Sequence, residues 1–350
     1  MKRELTAALF ALCLSPALAD TAPPRKERYQ DAMDLVATAP AAAHTAMAAL
    51  ADTGYPRAID RLAQFTAKGV GVTADPATAM VLYAQAIDQG HAKSLVAMGK
   101  LLANTGDHAQ ALKVLEQAQA QNVKGADVAL AVTHATGKLG PLSDQDAGWD
   151  TLLTLAQRDR HKADTAMLYV AYKTGLAIEN DHVILTRVTD RARDGDGRAA
   201  ESLLRYYRVH KPSTDANVAF RLKLTQHPGV RPKVQAEEAL HLAAIVEPAQ
   251  FWTAAQKVVQ AQTDEAFTRA LVVTSKLNRN AYVRILQIEL GSLGYLDGRP
   301  NGYLTHGTIR AFNAFCRDAQ TTDACRYGPL KSAAVKAVSV ELAKRRASRT

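Results

Sequence analysis

The chain has 350 residues, of which 47% are apolar and 22% are charged, and its formal net charge is +9. This composition is typical of a globular protein, and the length allows two domains. After residue 20 no stretch approaches the roughly 18 uninterrupted apolar residues that a spanning helix requires. The sequence therefore predicts no transmembrane segment.

Residues 1–19 have the pattern of a secretory signal peptide. A basic start precedes an apolar run at 5–14, and a small-x-small cleavage site follows at 17–19. We expect cleavage near Ala19 and export to the periplasm. A lipid anchor on Cys13 is the alternative, disfavoured because the residue before it is large.

Positive charge is concentrated at the C-terminal end of the chain. Residues 277–350 carry twelve Lys or Arg against five Asp or Glu, whereas residues 20–276 carry a net charge of only +1. For an exported protein, this distribution favours anionic cell-envelope material as a partner rather than nucleic acid.

Two cysteines remain once the signal peptide is removed, Cys316 and Cys325. An even number in an oxidising compartment predicts one disulfide that closes a short loop. Two free thiols are the alternative. A metal site is disfavoured because no histidine lies between or beside them.

Residues 54–90 predict a helical hairpin. Asp75 suits an N-cap and Pro76 suits the first helical position of the second helix. The same pattern returns every 35 or 36 residues. The positions that mark the beginning of each helical run are Gly54, Gly90, Gly125, Arg160, Asp196 and Pro232. A fixed period in this range is typical of a stacked helical solenoid. The fold class is therefore all-α, with about six to seven hairpins over 31–276 after a flexible lead-in at 20–30.

The first hairpin also resembles a known repeat family. Gly69-Val70-Gly71-Val72 followed by Asp75, Ala79, Tyr83 and Gln89-Gly90 is similar to the SEL-like repeat, a relative of the tetratricopeptide repeat. The resemblance implies an α-solenoid whose concave face binds other proteins, without chemistry of its own. A phosphate-binding loop is disfavoured, because the glycines lack a following Gly-Lys-Ser/Thr.

Residues 277–350 predict a small helical domain. A helix with one apolar face stops at Gly294, a turn-rich loop follows, and Thr305 or Thr308 opens a second helix. The predicted inner face of this second helix is Ile309, Phe312 and Phe315. A last helix, with a basic end, closes the domain. The alternative is that this helix lies on a membrane surface.

This region resembles the three-helix peptidoglycan-binding domain. The matching residues are Leu293-Gly294-Tyr295, Asn301-Gly302, Thr308, Ala311-Phe312 and Phe315, and the departures are Asn301, Thr305 and Cys316. The resemblance implies peptidoglycan as a partner, although some members of the family act only as protein-interaction modules.

Six residues near the loop are the candidate binding residues: Tyr295, Arg299, Asn301, Tyr303, Thr308 and Arg310. Tyrosines can cover sugars or a stem peptide, and arginines can meet a carboxylate. The alternative is that Leu293, Tyr295, Phe312 and Phe315 are core residues.

The sequence gives little support for catalysis or a cofactor. The nearest histidines, His227 and His241, are fourteen residues apart, and no Gly-x-Ser-x-Gly or Ser-x-x-Lys motif occurs. We expect a non-enzymatic periplasmic scaffold whose solenoid binds envelope proteins and whose C-terminal domain docks on peptidoglycan. An assembly factor for alginate-type exopolysaccharide secretion is the second hypothesis, and a cell-wall hydrolase or its activator is the third.

Overall fold

The computed structural model describes residues 23–36, 38–158, 160–179 and 181–348. In these ranges the secondary structure is all-α: 19 α-helices, two short 3-10 helices and no strand. This confirms the predicted fold class. The predicted signal peptide, residues 1–19, lies outside the described residues.

The chain divides into two compact units, with the division between Ala129 and Leu130. The first unit contains six complete helices, each packed against the next: α1 (Arg25–Asp34), α2 (Pro40–Ala51), α3 (Pro56–Lys68), α4 (Pro76–Asp88), α5 (Lys93–Thr105) and α6 (His108–Ala120). A further helix, α7 (Ala126–Ala135), includes the division.

The hairpin of α3 and α4 confirms the prediction for residues 54–90. The side chain of Asp75 accepts hydrogen bonds from the backbone amides of Ala77 and Thr78 at 3.0 and 3.1 Å, as an N-cap does. Gly71 has a φ of +74°, and a Cβ there would lie 2.1 Å from the backbone oxygen of Pro40. The glycine-rich loop is therefore a tight connection that packs on the start of α2.

The lead-in is shorter than predicted. Helix α1 begins at Arg25, so the second half of the predicted flexible segment 20–30 is helical. Tyr29 explains the difference, because its side chain is buried. Its hydroxyl accepts a hydrogen bond from Arg61 Nε at 3.0 Å, and the guanidinium of Arg57 lies 4.5 Å from its ring centroid.

The second unit contains the remaining twelve helices: α8 (Gln145–Arg158), α9 (Arg160–Thr174), α10 (His182–Arg193), α11 (Gly197–His210), α12 (Asp215–Thr225), α13 (Pro232–Val246), α14 (Phe251–Gln260), α15 (Asp264–Leu277), α16 (Arg279–Ser292), α17 (His306–Asp318), α18 (Thr322–Cys325) and α19 (Ser332–Ala347). Neighbouring helices pack in pairs, and α9 also packs against α11, as α13 does against α15.

The predicted period agrees with the observed helix starts. Helices α3, α5, α7, α9, α11 and α13 each begin within three residues of a predicted position. The capping chemistry is local: Asp196 accepts from the amides of Arg198 and Ala199 before α11, and Pro232 is the first residue of α13. The packing is compatible with a helical repeat protein, and the number of repeats stays a prediction.

One hydrophobic core includes residues from α13 through α19. Helix α15 packs against both α16 and α19, and Phe267, Leu271 and Val273 of α15 belong to this core. The predicted domain boundary at 276/277 lies between the last two residues of α15, just before the connection to α16, and it stays a prediction. Removal of residues 277–350 would expose the buried side of α15.

None of the helices in the described ranges is long and apolar enough to cross a membrane.

Candidate functional site

The candidate site is the loop between α16 and α17, residues 293–305, which we call the C-terminal turn. Gly294 follows α16 with a φ of +80°, and the hydroxyl of Thr305 caps α17 by accepting from the amide of Thr308 at 3.2 Å. Both ends of the loop therefore have the local chemistry that the sequence predicts.

The buried side of α17 differs in one residue from the prediction. Phe312 and Phe315 are fully buried, but Ile309 is 38% exposed. The buried stripe runs through Thr308, Ala311, Phe312 and Phe315, at the i, i+3, i+4, i+7 spacing of a helix face. Ile309 lies one residue, or about 100°, away from this stripe, so its assignment to the inner face is wrong.

Gln287 of α16 organises the C-terminal turn. Its side chain is nearly fully buried, and its Oε1 accepts hydrogen bonds from the amides of Asn301 and Gly302 at 2.8 and 2.9 Å. Its Nε2 donates to Asn301 Oδ1 at 3.0 Å and to the backbone oxygen of Tyr303 and Thr308 Oγ1 at 2.9 Å each. A single glutamine therefore satisfies the polar groups of the turn and fixes its shape.

Two residues from outside the loop support the same turn. Gly302 has a φ of +78°, and a Cβ there would lie 2.9 Å from both the backbone oxygen of Asn280 and the ring of Trp252. Arg284 Nη1 donates to the backbone oxygen of Pro300 at 2.7 Å. The turn is thus seated on α14 and α16.

The predicted binding residues fall into three groups. Arg299, Tyr303 and Arg310 are exposed, with Tyr303 at 60% of its maximum. In the described part of the chain neither arginine takes part in an ion pair. These three side chains are available to a ligand.

Asn301 and Thr308 serve the turn itself. The side chain of Asn301 accepts from Gln287 and from the amide of Tyr303 at 2.9 Å. Thr308 is 1% exposed and its hydroxyl is bonded to Gln287, so it has no surface for a direct contact. Both residues position the exposed group.

Tyr295 is attached to the C-terminal helix. Its hydroxyl donates to Asp318 Oδ2 at 2.7 Å and accepts from Arg345 Nη1 at 2.9 Å. Its ring meets Phe315 edge-on, with the centroids 5.6 Å apart. The hydrogen bond to Asp318, together with burial, raises the pKa of Tyr295. These contacts make Tyr295 a packing residue with a half-buried ring.

The predicted disulfide is confirmed. Cys316 and Cys325 are bonded, with their Cα atoms 6.4 Å apart, and both are buried. The bond joins the end of α17 to α18, which packs against α19. The last helix has Ala334, Val335, Val338 and Leu342 in the core, so its apolar face is covered by the protein.

The residues that hold the turn could not be identified from the sequence. Gln287 lies on the buried side of α16, but its role depends on a loop that folds back fourteen residues later. Trp252 and Arg284 carry no local signal, because their partners are 50 and 16 residues away. Within the described residues, no group of three or more His, Cys, Asp or Glu is placed to hold a metal ion.

Comparison of the sequence with protein-family models and with curated proteins gave no match. The structure therefore defines the class of protein. In the described residues it is all-α, its helices pack in pairs in a way compatible with a helical repeat protein, and it has one disulfide.

Proposed function

We propose that the protein is a non-catalytic adaptor of the periplasm. In this proposal the helical hairpins hold envelope proteins, and the C-terminal turn docks on peptidoglycan. The observation that carries the proposal is the arrangement at the turn, where buried Gln287 fixes a loop from which Tyr303 and Arg299 project into solvent.

The exposed group suits a glycan with peptide side chains. The open ring of Tyr303 can cover the apolar face of a sugar or a peptide, and the guanidinium groups of Arg299 and Arg310 can pair with stem-peptide carboxylates. Tyr303 and Arg299 stand on a fixed loop and Arg310 on α17, so their backbone does not have to be ordered on binding, which lowers the entropic cost of association.

The two exposed arginines also support a second candidate function. An acidic exopolysaccharide presents carboxylates at regular intervals, and an assembly factor for its secretion would hold such a polymer by unpaired cations. A contact of this kind is dominated by charge and weakens strongly as salt is added. The two candidates therefore differ in their dependence on ionic strength and on Tyr303.

Co-sedimentation with purified peptidoglycan sacculi tests the proposal. The chain from residue 20 onward is compared with Tyr303→Ala and with the double variant Arg299→Ala/Arg310→Ala. Substitutions are preferable to truncation at 276, because one core includes both α15 and α19.

Matched controls lie in the same region. Tyr327 is 74% exposed, and Arg326 and Lys336 are exposed cations outside the turn. We expect Tyr303→Ala and the Arg299/Arg310 variant to pellet about tenfold less at moderate salt, whereas Tyr327→Ala and Arg326→Ala/Lys336→Ala pellet like the parent.

Two results would count against wall binding. If the turn variants and the controls lose sacculus binding equally, the attraction to the wall is nonspecific. The secretion factor would be favoured if the Arg299→Ala/Arg310→Ala variant loses sacculus binding, Tyr303→Ala keeps it, and an acidic polyuronate competes with it. Release of soluble fragments from the sacculi would instead indicate a hydrolase.

A further inference from the structure

Alternate helices of the second unit share a surface of tyrosines and cations. We call it the cationic face and define it by six residues from α9, α11 and α15: Tyr169, Tyr172, Lys173, Arg205, Arg208 and Arg269. Lys173 is exposed, four residues are half-buried, and the side chain of Arg208 is only 10% exposed. These residues lie outside the C-terminal turn.

The sequence period brings these residues together. Tyr169 and Arg205 are 36 residues apart, as are Tyr172 and Arg208, so each pair occupies equivalent positions of α9 and α11. Because these two helices pack side by side, equivalent positions become neighbours on one surface.

The contacts across the cationic face are continuous. Lys173 Nζ and Arg208 Cζ lie 5.5 and 5.6 Å from the ring centroid of Tyr172. Arg208 Nη1 is 2.9 Å from one oxygen of Glu237 on α13, and Arg269 Nε is 2.7 Å from the other. One chain of ionic and ring contacts therefore joins α9, α11, α13 and α15.

The carboxylates of this chain lie beneath its cations. The side chains of Glu201, Glu237 and Glu238 are 4%, 7% and 1% exposed. Arg205, which pairs with Glu201, is 21% exposed, and Arg269, which pairs with Glu237, is 38% exposed. In these two pairs the cation is therefore the partner that solvent meets.

Positive charge at this surface exceeds what the acids neutralise. Glu238 already has Arg221 as a buried partner at 2.6 Å, in addition to Arg208 at 3.6 Å. Burial and the neighbouring Lys173 lower the pKa of Lys138. Burial and the neighbouring Arg208 lower the pKa of His241 to about 4, which keeps this histidine neutral. A concentration of like charge is unfavourable by itself, and an anionic partner relieves it.

We propose that the cationic face binds an extended acidic segment of a partner protein, a proposal that rests on the adaptor function above. Charge complementarity selects the partner: side-chain carboxylates pair with Lys173, Arg205 and Arg269, whereas Arg208, 10% exposed, is held by Glu237 and Glu238. The ammonium group on α9 and the guanidinium groups on α11 and α15 can then bind a segment that runs across these helices.

The spacing favours a peptide. Packed helices lie about 8–10 Å apart. In a polyproline-II strand, which has three residues per turn and rises about 3.1 Å per residue, every third side chain points the same way at a spacing of about 9 Å. Two glutamates three positions apart can therefore meet Lys173 on α9 and Arg205 on α11, two helices that pack side by side.

The tyrosines disfavour a polysaccharide at this surface. Sugars stack on open aromatic faces, but Tyr172 already has two cations against its ring and Tyr169 has Lys173 at 6.0 Å. What the rings offer a ligand is their hydroxyl groups, which suit hydrogen bonds to a peptide backbone.

Fluorescence anisotropy with a labelled (Glu-Pro-Pro)4 peptide tests the inference, with (Gln-Pro-Pro)4 as the uncharged probe and a labelled four-residue oligouronate as the polysaccharide probe. The test variant is Lys173→Gln/Arg205→Gln. Glu201 keeps Arg231, whose Nε is 2.7 Å away, so this variant leaves no buried acid unpaired. The control is Lys223→Gln/Lys257→Gln, which removes two exposed cations from α12 and α14.

We expect the glutamate peptide to bind the parent chain and the control equally, and the test variant about tenfold more weakly. Absence of binding, equal weakening in both variants, or equal binding of the glutamine peptide would overturn the inference. Tighter binding of the oligouronate, lost in the test variant, would also overturn it and assign the face to a polymer.

Sacculus co-sedimentation of the same variants separates this inference from wall docking. Lys173→Gln/Arg205→Gln should pellet with sacculi like the parent, and Tyr303→Ala should bind the glutamate peptide like the parent. If the parent chain pellets with sacculi but does not bind the glutamate peptide, the inference about the cationic face fails and wall docking stands. If the parent chain binds the peptide but does not pellet, wall docking fails and the inference about the cationic face stands.

Discussion

Gln287 and Asn301 are hydrogen-bonded in both directions. The Nε2 of Gln287 donates to Asn301 Oδ1 at 3.0 Å, and the backbone amide of Asn301 donates to Gln287 Oε1 at 2.8 Å. A helix and the loop that follows it are thereby joined through one buried side chain. The exposed position of Tyr303 depends on this connection, because the backbone oxygen of Tyr303 also accepts a hydrogen bond from Gln287.

Replacement of this glutamine by an apolar residue of similar size should loosen the turn. Gln287→Met leaves the amides of Asn301 and Gly302 without their acceptor, so we expect unfolding to require about 1–3 kcal/mol less free energy. Urea denaturation measures the loss. Gln260→Met, at an exposed position, should change stability by less than about 0.5 kcal/mol. If the two variants are equally stable, the turn does not depend on Gln287.

Gly302 should be intolerant of any side chain. Gly302→Ala forces the alanine into a left-handed backbone conformation. It also places a Cβ 2.9 Å from the backbone oxygen of Asn280 and from the ring of Trp252. Gly294→Ala is the matched control, since its φ of +80° is similar and nothing lies within 4 Å of the added Cβ. We expect about 1 kcal/mol of destabilisation in the control and about 1–3 kcal/mol more at Gly302. Similar thermal midpoints for the two variants would contradict the close packing of the turn on Trp252.

Local chemistry explains what could be predicted from the sequence. Asp75 and Pro76 define a helix start through atoms within three residues of themselves, and the period of about 36 residues follows from repeated starts of this kind. Such signals gave the all-α class, the first hairpin and the helix positions.

Contacts between distant residues explain what was missed. Trp252 lies against a glycine 50 residues away, and Arg208 meets Glu237 across 29 residues. Neither partner changes the local pattern of the other. Periodicity placed Ile309 one residue from the true stripe, because the apolar residues of α17 fit two overlapping faces and the packing of the core selects one.

The disulfide should stabilise the end of the chain. It closes a loop with a sequence separation of 9 between two buried cysteines. In the chain-entropy description, a loop of this size contributes about 2–3 kcal/mol. We expect the thermal midpoint to fall when a reductant is added to the parent chain. The double variant Cys316→Ser/Cys325→Ser should start at the lower midpoint and not respond to the reductant; a response there would assign the effect to something other than this bond.

The stability of the folded chain should decrease as the pH falls from about 6.5 to 4, because of His241. Burial, followed by the charges of Arg208, Arg221 and Arg269, outweighs the attraction of Glu237 and lowers the pKa of His241 to about 4. An unfolded chain has an ordinary histidine pKa of about 6.5. Between these values the unfolded state binds more protons than the folded state, so the free energy of unfolding rises with pH.

His241→Gln removes this proton uptake and should flatten the pH dependence in that window. The full shift corresponds to about 3 kcal/mol, and partial contact with solvent reduces it to about 1–2 kcal/mol. Urea midpoints at pH 4.5 and 7 measure the slope, and His306→Gln, at an exposed histidine, is the control. Below about pH 4.5 the parent chain and both variants should lose further stability, because Glu237 begins to be protonated in the unfolded chain. In the folded chain burial opposes the lowering of the Glu237 pKa, but the hydrogen bond to Arg269 and the charge of Arg208 outweigh it and lower this pKa to about 2. A parent slope that His241→Gln leaves unchanged would show that this histidine is protonated among its arginines, and the excess of positive charge at the cationic face would then be larger still.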